Sequence, residues 1–289
     1  MKLTDLGTLR QVLEKFGKSP DKKYGQNFLI SSHTVWEIAD NCGAGECDGV
    51  LEIGPGIGTL TKELAERYKK VVAVEIDTSL LPVLEYTLAE YDNVKVINND
   101  ILKVDLKALI REEFPGMKVS VCANLPYYIT TPIIMALMES GAEFEYITVM
   151  MQKEVADRLL AQPGKAEYGA ITPAVNYYAE GERLINVSSG CFYPMPKVDS
   201  AVLRFRMRKE SPVFVNDEKM LFRIIKAAFG ERRKTLANAL VREFPNIPKA
   251  EMADIIEKSG HDSTVRGERL SLADFARLEN LISERSDIK

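Results

Sequence analysis

The stretch Val50-Leu51-Glu52-Ile53-Gly54-Pro55-Gly56-Ile57-Gly58-Thr59 decides the fold. Val50–Ile53 is a short apolar run interrupted only by Glu52, the pattern of a buried strand. Gly54, Gly56 and Gly58 follow at every second position, so the strand runs into a tight turn where a ligand can approach backbone amides closely. A helix begins near Thr59, and its N-terminus faces the turn and favours an anionic group. A dinucleotide-binding loop requires G-x-G-x-x-G. Here the sixth position is Thr59 and the spacing is G-x-G-x-G, with the acidic Glu52 just before it.

Outward from this stretch the same alternation repeats. Val71–Ile76 precedes a helix from about Ser79, Val94–Ile97 follows, Lys118–Ala123 precedes a helix from about Thr131, and Tyr146–Met151 precedes one from Lys153. Strands alternating with helices imply a parallel sheet covered on both faces. Arg183–Ser188 and Val198–Met207 have no helix between them and read as an antiparallel hairpin at the sheet edge. From about 216 the pattern is helical, broken at Pro245, Pro248 and near Gly260. The expected organisation is an N-terminal helix and linker over 1–24, a strand-rich domain over 25–210, and a small all-helical domain over 211–289.

Of the 289 residues, 46% are hydrophobic and 28% charged, an ordinary globular balance. No run approaches the roughly 18 apolar residues of a membrane span, and the N-terminus lacks a signal-peptide pattern. Cys42, Cys47, Cys122 and Cys191 form no CxxC pair, and His33 and His261 are the two histidines, which disfavours a metal cage or a histidine triad. A reduced cytoplasmic protein without metal is expected. The net charge is −4, yet residues 191–289 carry 19 Lys+Arg against 15 Asp+Glu, leaving the first 190 residues at −8. An acidic body with a basic end is compatible with a polyanion bound at one face.

Open α/β sheets bind ligands at the carboxyl ends of their strands. The second strand ends with Glu75 and Asp77, where an acidic side chain can accept from two ribose hydroxyls; the third ends Asn98-Asn99-Asp100. After the fourth comes Asn124-Leu125-Pro126-Tyr127. The lone pair of an aromatic amine is delocalised into its ring. Two acceptors, the Asn124 side-chain oxygen and the Leu125 carbonyl, would favour a pyramidal nitrogen and stabilise its developing positive charge. Pro126 holds Leu125 extended, and Tyr127 offers a face on which an extruded base can stack. A second aromatic candidate lies in Cys191-Phe192-Tyr193-Pro194-Met195-Pro196-Lys197-Val198-Asp199-Ser200, where either Phe192 or Tyr193 can close over the base.

The chain resembles the KsgA-type small-subunit ribosomal RNA adenine dimethyltransferases from about residue 24 to 280. The match comprises Gly25-Gln26-Asn27-Phe28-Leu29, Glu52 through Gly58, Asn124 through Tyr128, Gln152-Lys153-Glu154-Val155, Phe192 through Ser200, and Arg232-Arg233-Lys234-Thr235-Leu236. The resemblance implies a Rossmann-like class I methyltransferase sheet with a helical C-terminal domain, and S-adenosyl-L-methionine as cofactor. It implies cofactor contacts from Asn27, Leu29, Gly54, Glu75, Asp100 and Asn124, joined by Gly56 of the same loop. It further implies a base pocket of Asn124, Leu125, Tyr127 and Phe192, and RNA contacts from Arg232, Arg233 and Lys234, with Arg204, Arg206, Arg208 and Lys209 adding basic surface. The implied reaction is N6,N6-dimethylation of two adjacent adenosines in a hairpin loop near the 3′ end of 16S rRNA, in an assembling small subunit. Nothing in the sequence demands more than a monomer, and a monomer is expected. Where the family commonly has an acidic residue, this chain reads Ile30-Ser31-Ser32-His33, and His33 is expected at a helix start. The related large-subunit enzymes tend to be basic, whereas this chain has a pI near 5.5. A factor that has kept the fold and lost the chemistry is disfavoured by the intact Gly54, Glu75 and Asn124.

Overall fold

The computed structural model describes residues 1–231 and 233–285. The strands are β1 (Phe28–Leu29), β2 (Gly49–Ile53), β3 (Lys70–Glu75), β4 (Val94–Asn98), β5 (Val119–Asn124), β6 (Tyr146–Gln152), β7 (Ala179–Val187), β8 (Phe192–Tyr193) and β9 (Ser200–Met207). The helices are α1 (Leu6–Lys15), α2 (Ser32–Asn41), α3 (Thr59–Ala65), α4 (Leu81–Thr87), α5 (Leu106–Glu113), α6 (Thr130–Glu139), α7 (Lys153–Leu159), α8 (Ile171–Tyr178), α9 (Glu218–Gly230), α10 (Leu236–Glu243), α11 (Lys249–Lys258) and α12 (Leu272–Ser283).

Seven strands form one sheet in the order β4-β3-β2-β5-β6-β9-β7. β4, β3, β2, β5 and β6 pair in parallel in that order, and all five residues of β2 are buried. That burial on both faces explains the near-continuous apolar runs in the sequence. β9 runs antiparallel to β6, from Gln152↔Ser200 to Tyr146↔Arg206. The last strand is therefore seated between β6 and β7, at an edge that the sequence reads as a terminal hairpin. Polar caps mark helix starts: Asp5 accepts from Thr8 N in α1, Ser31 from Thr34 N in α2, and Asp105 from Ala108 N in α5. His33 stands in the first turn of α2 with its side chain exposed.

A second, two-stranded sheet joins segments far apart in sequence. β1 pairs antiparallel with β8, Phe28 opposite Tyr193 and Leu29 opposite Phe192. α1 buries Leu9, Val12 and Leu13 in a cluster with Phe28, Ile57, Leu80 and Val83, against which Tyr193 packs. Phe28 is thus braced from behind by α1, with Ile57 of the glycine loop in the same cluster.

The chain divides into two compact units: 1–156 with 181–207, and 157–180 with 208–289. Residues 157–180, within the 25–210 segment expected from the sequence, pack with the second unit. That unit has its own core, including Leu221, Ile224, Leu236, Leu240, Phe275 and Leu278. Its buried Glu279 accepts from the Asn216 and Asp217 amides at the start of α9, and Ser271 with Asp274 forms a capping box on α12. No helix among the described residues is long and apolar enough to cross a membrane. All four cysteines are free thiols; Cys42, Cys47 and Cys122 are buried.

Candidate functional site

One cleft lies at the carboxyl ends of β2 to β5. It is lined by Asn27, Leu29, Gly54, Gly56, Glu75, Asp100, Asn124, Leu125, Tyr127 and Phe192. The structure thus gathers every cofactor and base-pocket candidate of the first unit around one space.

The three glycines of the loop contribute conformation rather than free donors. Gly54, Gly56 and Gly58 have φ of 68°, 60° and 89°, in the left-handed region where a side chain is strained. Their amides are already used: Gly54 N–H donates to the Val74 carbonyl at 3.0 Å, Gly56 N–H to Glu75 Oε2 at 3.2 Å, and Gly58 N–H to the Pro55 carbonyl at 2.9 Å. The close ligand approach expected from the glycine spacing is thus allowed by the backbone, but these three donors are occupied. A Cβ at Gly54 would meet no atom within 4 Å, so the bare backbone there borders open space.

Glu75 is buried and bonded at both oxygens, Oε2 to Gly56 N–H and Oε1 to Asp77 N–H at 2.8 Å. Burial raises its pKa despite these two bonds. One carboxylate therefore locks the glycine loop to the end of β3 while keeping a lone pair on each oxygen. Asp77, the other acidic candidate at this strand end, serves the scaffold. It accepts from Ser79 N–H and from Gln26 Nε2 at 2.8 Å, tying the 21–29 segment to β3. Asp100 accepts from Leu102 N–H and lies 3.6 Å from Lys103 Nζ, so its carboxylate is held in place at the cleft.

Glu52 is 1% exposed, and its Oε2 has no hydrogen-bond partner. Burial pushes its pKa up to about 8, and the nearby Glu75 charge acts in the same direction. A buried unpaired carboxylate oxygen is costly, and a cation in the cleft would relieve that cost. The Thr59 hydroxyl is likewise buried without a partner.

Asn124 ends β5, and its side-chain Nδ2 donates to the Asn27 carbonyl at 3.3 Å. This fixes the orientation of the amide. Oδ1, with no partner among the described residues, is left as a free acceptor. Leu125 N–H donates to the Met150 carbonyl at 3.2 Å, extending the β5–β6 ladder by one residue and setting the direction of the peptide group that follows. The Tyr127 hydroxyl is 2.7 Å from Ser200 Oγ, and Tyr127 is half-buried. Phe192 lines the cleft, whereas Tyr193 packs with the α1 cluster beneath Arg10.

Of the basic candidates, Arg233 and Lys234 are exposed between α9 and α10, and Arg232 lies outside the described residues. Arg204 is engaged by Glu182 and the Asn41 carbonyl, and Arg208 by Glu180 and the Asn176 carbonyl. Those two are bound into ion pairs; Arg206 is exposed.

A sheet of this order, with a glycine turn and buried carboxylates at its carboxyl edge, defines a Rossmann-like methyltransferase. The family model described as ribosomal RNA adenine dimethylase matches residues 17–283, and the chain belongs to that family. It is 49% identical to the ribosomal RNA small subunit methyltransferase A of Lachnoclostridium phytofermentans, covering 95% of this chain and 96% of that one. It is 48% identical to the protein of the same name from Bacillus licheniformis, covering 95% of each. Among solved structures, a dimethyladenosine transferase from Plasmodium falciparum superposes with a TM-score of 0.72 at 27% identity, covering 87% of this chain and 95% of that one. The 23S rRNA methyltransferase ErmE superposes with a TM-score of 0.67 at 26% identity, covering 89% and 100%.

Proposed function

We propose that the chain transfers methyl groups from S-adenosyl-L-methionine to the exocyclic N6 of adenosine. Its substrate in this reading is two adjacent adenosines of a hairpin loop near the 3′ end of 16S rRNA, each dimethylated in the assembling small ribosomal subunit. The enzyme acts as a cytoplasmic monomer. The observation that carries the reading is the pinned Asn124 amide, which leaves Oδ1 free in the cleft that Leu125, Glu52 and Glu75 also line.

The cleft fits the cofactor. The unpaired Glu52 Oε2 suits its cationic amino group, and the open space at Gly54 admits it against bare backbone. Glu75 offers its remaining lone pairs to ribose hydroxyls, and Asp100 offers its own to the adenine amino group. Leu29 adds an apolar wall, and Asn27 holds Asn124. When bound, the cofactor supplies an electrophilic methyl group on a good leaving group. In the first transfer Asn124 Oδ1 and the Leu125 carbonyl accept from the two N–H bonds of the target amine, and in the second one of them accepts from the N–H that remains, favouring a pyramidal nitrogen and stabilising its developing charge; each methylated nitrogen then loses one proton to solvent. Tyr127 and Phe192 stack the extruded base and hold it in line. Arg233, Lys234 and Arg232 contact phosphates, a salt-sensitive and sequence-independent contribution.

The test is to incubate the protein with labelled cofactor and small subunits that lack the modification, then identify the labelled nucleoside. N6,N6-dimethyladenosine at the paired loop positions is expected. Label confined to large-subunit RNA, or none at all, would overturn the reading.

A further inference from the structure

We propose that Ser200 is a positioning residue for the base-stacking ring of Tyr127, fixing where that ring stands in the cleft through the bond between their hydroxyls. The inference rests on the reading of the cleft as an adenosine-N6 methylation site.

Three observations carry it. First, Ser200 is fully buried, and the Tyr127 hydroxyl at 2.7 Å is the partner of its Oγ. A buried hydroxyl is costly unless bonded, so an apolar residue would suit a strand interior better unless this bond had a use. Second, the two residues differ in how firmly they are held. Ser200 opens β9 in register with Gln152, and its neighbour Asp199 is anchored twice: its carbonyl accepts from Lys153 N–H at 3.0 Å and its carboxylate from Ser189 N–H at 2.9 Å. Tyr127 stands in the turn between β5 and α6, half-buried, with its ring lining the cleft. A ring carried by a turn is free to swing about its first side-chain torsion, and tethering its far end to a strand stops that swing and fixes where the ring stands. Third, the same segment carries Phe192, fixed by the pairing of β8 with β1. The stretch from Phe192 to Ser200 thus supplies one aromatic wall of the cleft directly and holds the other by its hydroxyl. Stacking of a base on aromatic faces depends on where they stand and is worth about 1–3 kcal/mol per base.

The test compares Ser200→Ala, Tyr127→Phe and the double variant for methyl transfer to unmodified small subunits, with cofactor affinity measured separately by calorimetry. Tyr127→Phe keeps the ring and removes the tether. Each single variant is expected to lower kcat/KM for the subunit about threefold to tenfold, as for one buried hydrogen bond. The double variant should be no worse than either, with cofactor affinity unchanged throughout. An unchanged rate for Ser200→Ala would overturn the proposal. So would losses that multiply in the double variant, or weakened cofactor binding, which marks general damage. Should Ser200→Ala fail to fold, Tyr127→Phe decides alone by the same criteria of rate and cofactor affinity. Absence of transfer by the wild-type protein overturns the reading of the cleft itself and the proposal with it, whereas transfer by wild type with an unaffected Ser200→Ala overturns the proposal alone.

Discussion

The Asn124 side-chain amide donates to the backbone carbonyl of Asn27, 97 residues earlier in the chain. With Nδ2 so engaged, Oδ1 is the group left to meet an amine. Asn124→Ala removes that acceptor without touching the core. The expected result is a single-turnover methylation rate lower by roughly 100- to 1,000-fold, the usual effect of deleting one preorganised electrostatic contact. Melting temperature and RNA affinity should be nearly unchanged. A wild-type rate constant would show that Asn124 is not the acceptor.

Two glycines on β2 and just beyond it separate binding from folding. At Gly54 an added Cβ meets no protein atom but projects into the cleft from a backbone with φ of 68°. At Gly49 an added Cβ would lie 2.4 Å from the Phe114 ring. Gly54→Ala should weaken cofactor binding about tenfold to a hundredfold while costing about 1–2 kcal/mol of backbone strain. Gly49→Ala should lower stability by about 1–3 kcal/mol through overpacking and leave cofactor affinity of the folded protein intact. Calorimetric titration paired with thermal unfolding reads both effects, and equal cofactor losses in the two variants would contradict this division.

The parallel core of the sheet was legible because its signals are local: apolar runs, a G-x-G-x-G turn, and helix periodicity. Glu75, Asp100 and Asn124, singled out at strand ends, all line the cleft. What stayed hidden depends on pairing between distant segments. β1 and β8 are two residues each, too short for any periodicity, and they recognise one another across more than 160 positions. The Asn27 contribution comes through a backbone carbonyl, which has no side-chain signature. Ser200 lay within a quoted motif, but nothing in a lone serine foretells a tyrosine hydroxyl 73 residues away. Arg204 and Arg208 counted as basic surface because Glu182 and Glu180 sit on β7, beyond the reach of local charge counting. The 157–180 segment joins the second unit through contacts such as the Tyr168 hydroxyl on the Leu270 carbonyl, and these too are non-local.

Glu52 makes the stability of the ligand-free protein pH-dependent. Its ordinary pKa of 4.5 is raised by burial to about 8 in the folded state. Between these values the folded form holds a proton that the unfolded form has lost, so stability falls as pH rises through that window and is fully penalised above it. Glu52→Gln removes the titration. Its melting temperature should exceed that of wild type at pH 8.5, and the gap should close towards pH 5. The same variant should bind the cationic cofactor more weakly, because a neutral amide replaces the carboxylate at Oε2. A constant difference in melting temperature across this range would mean that Glu52 is already ionised in the folded cleft.

Arg233 and Lys234 are exposed in the turn between α9 and α10, and neither supports the core of its unit. Contacts from such side chains to phosphates release condensed counterions, so their loss appears in the salt dependence of binding more than in any single affinity. Each phosphate contact contributes about 0.7–0.9 to the slope of log K against log salt. Arg233→Ala combined with Lys234→Ala should reduce the magnitude of that slope by about 1.4–1.8 and weaken subunit binding most at low salt. The methylation rate at saturating substrate should stay near that of wild type, because neither residue lines the cleft. Binding isotherms for small subunits over a salt series, read beside the saturated rate, test both halves. An unchanged slope would remove the pair from the RNA surface, whereas a reduced saturated rate would mean that the helical unit helps deliver the base to Asn124 as well as holding the backbone.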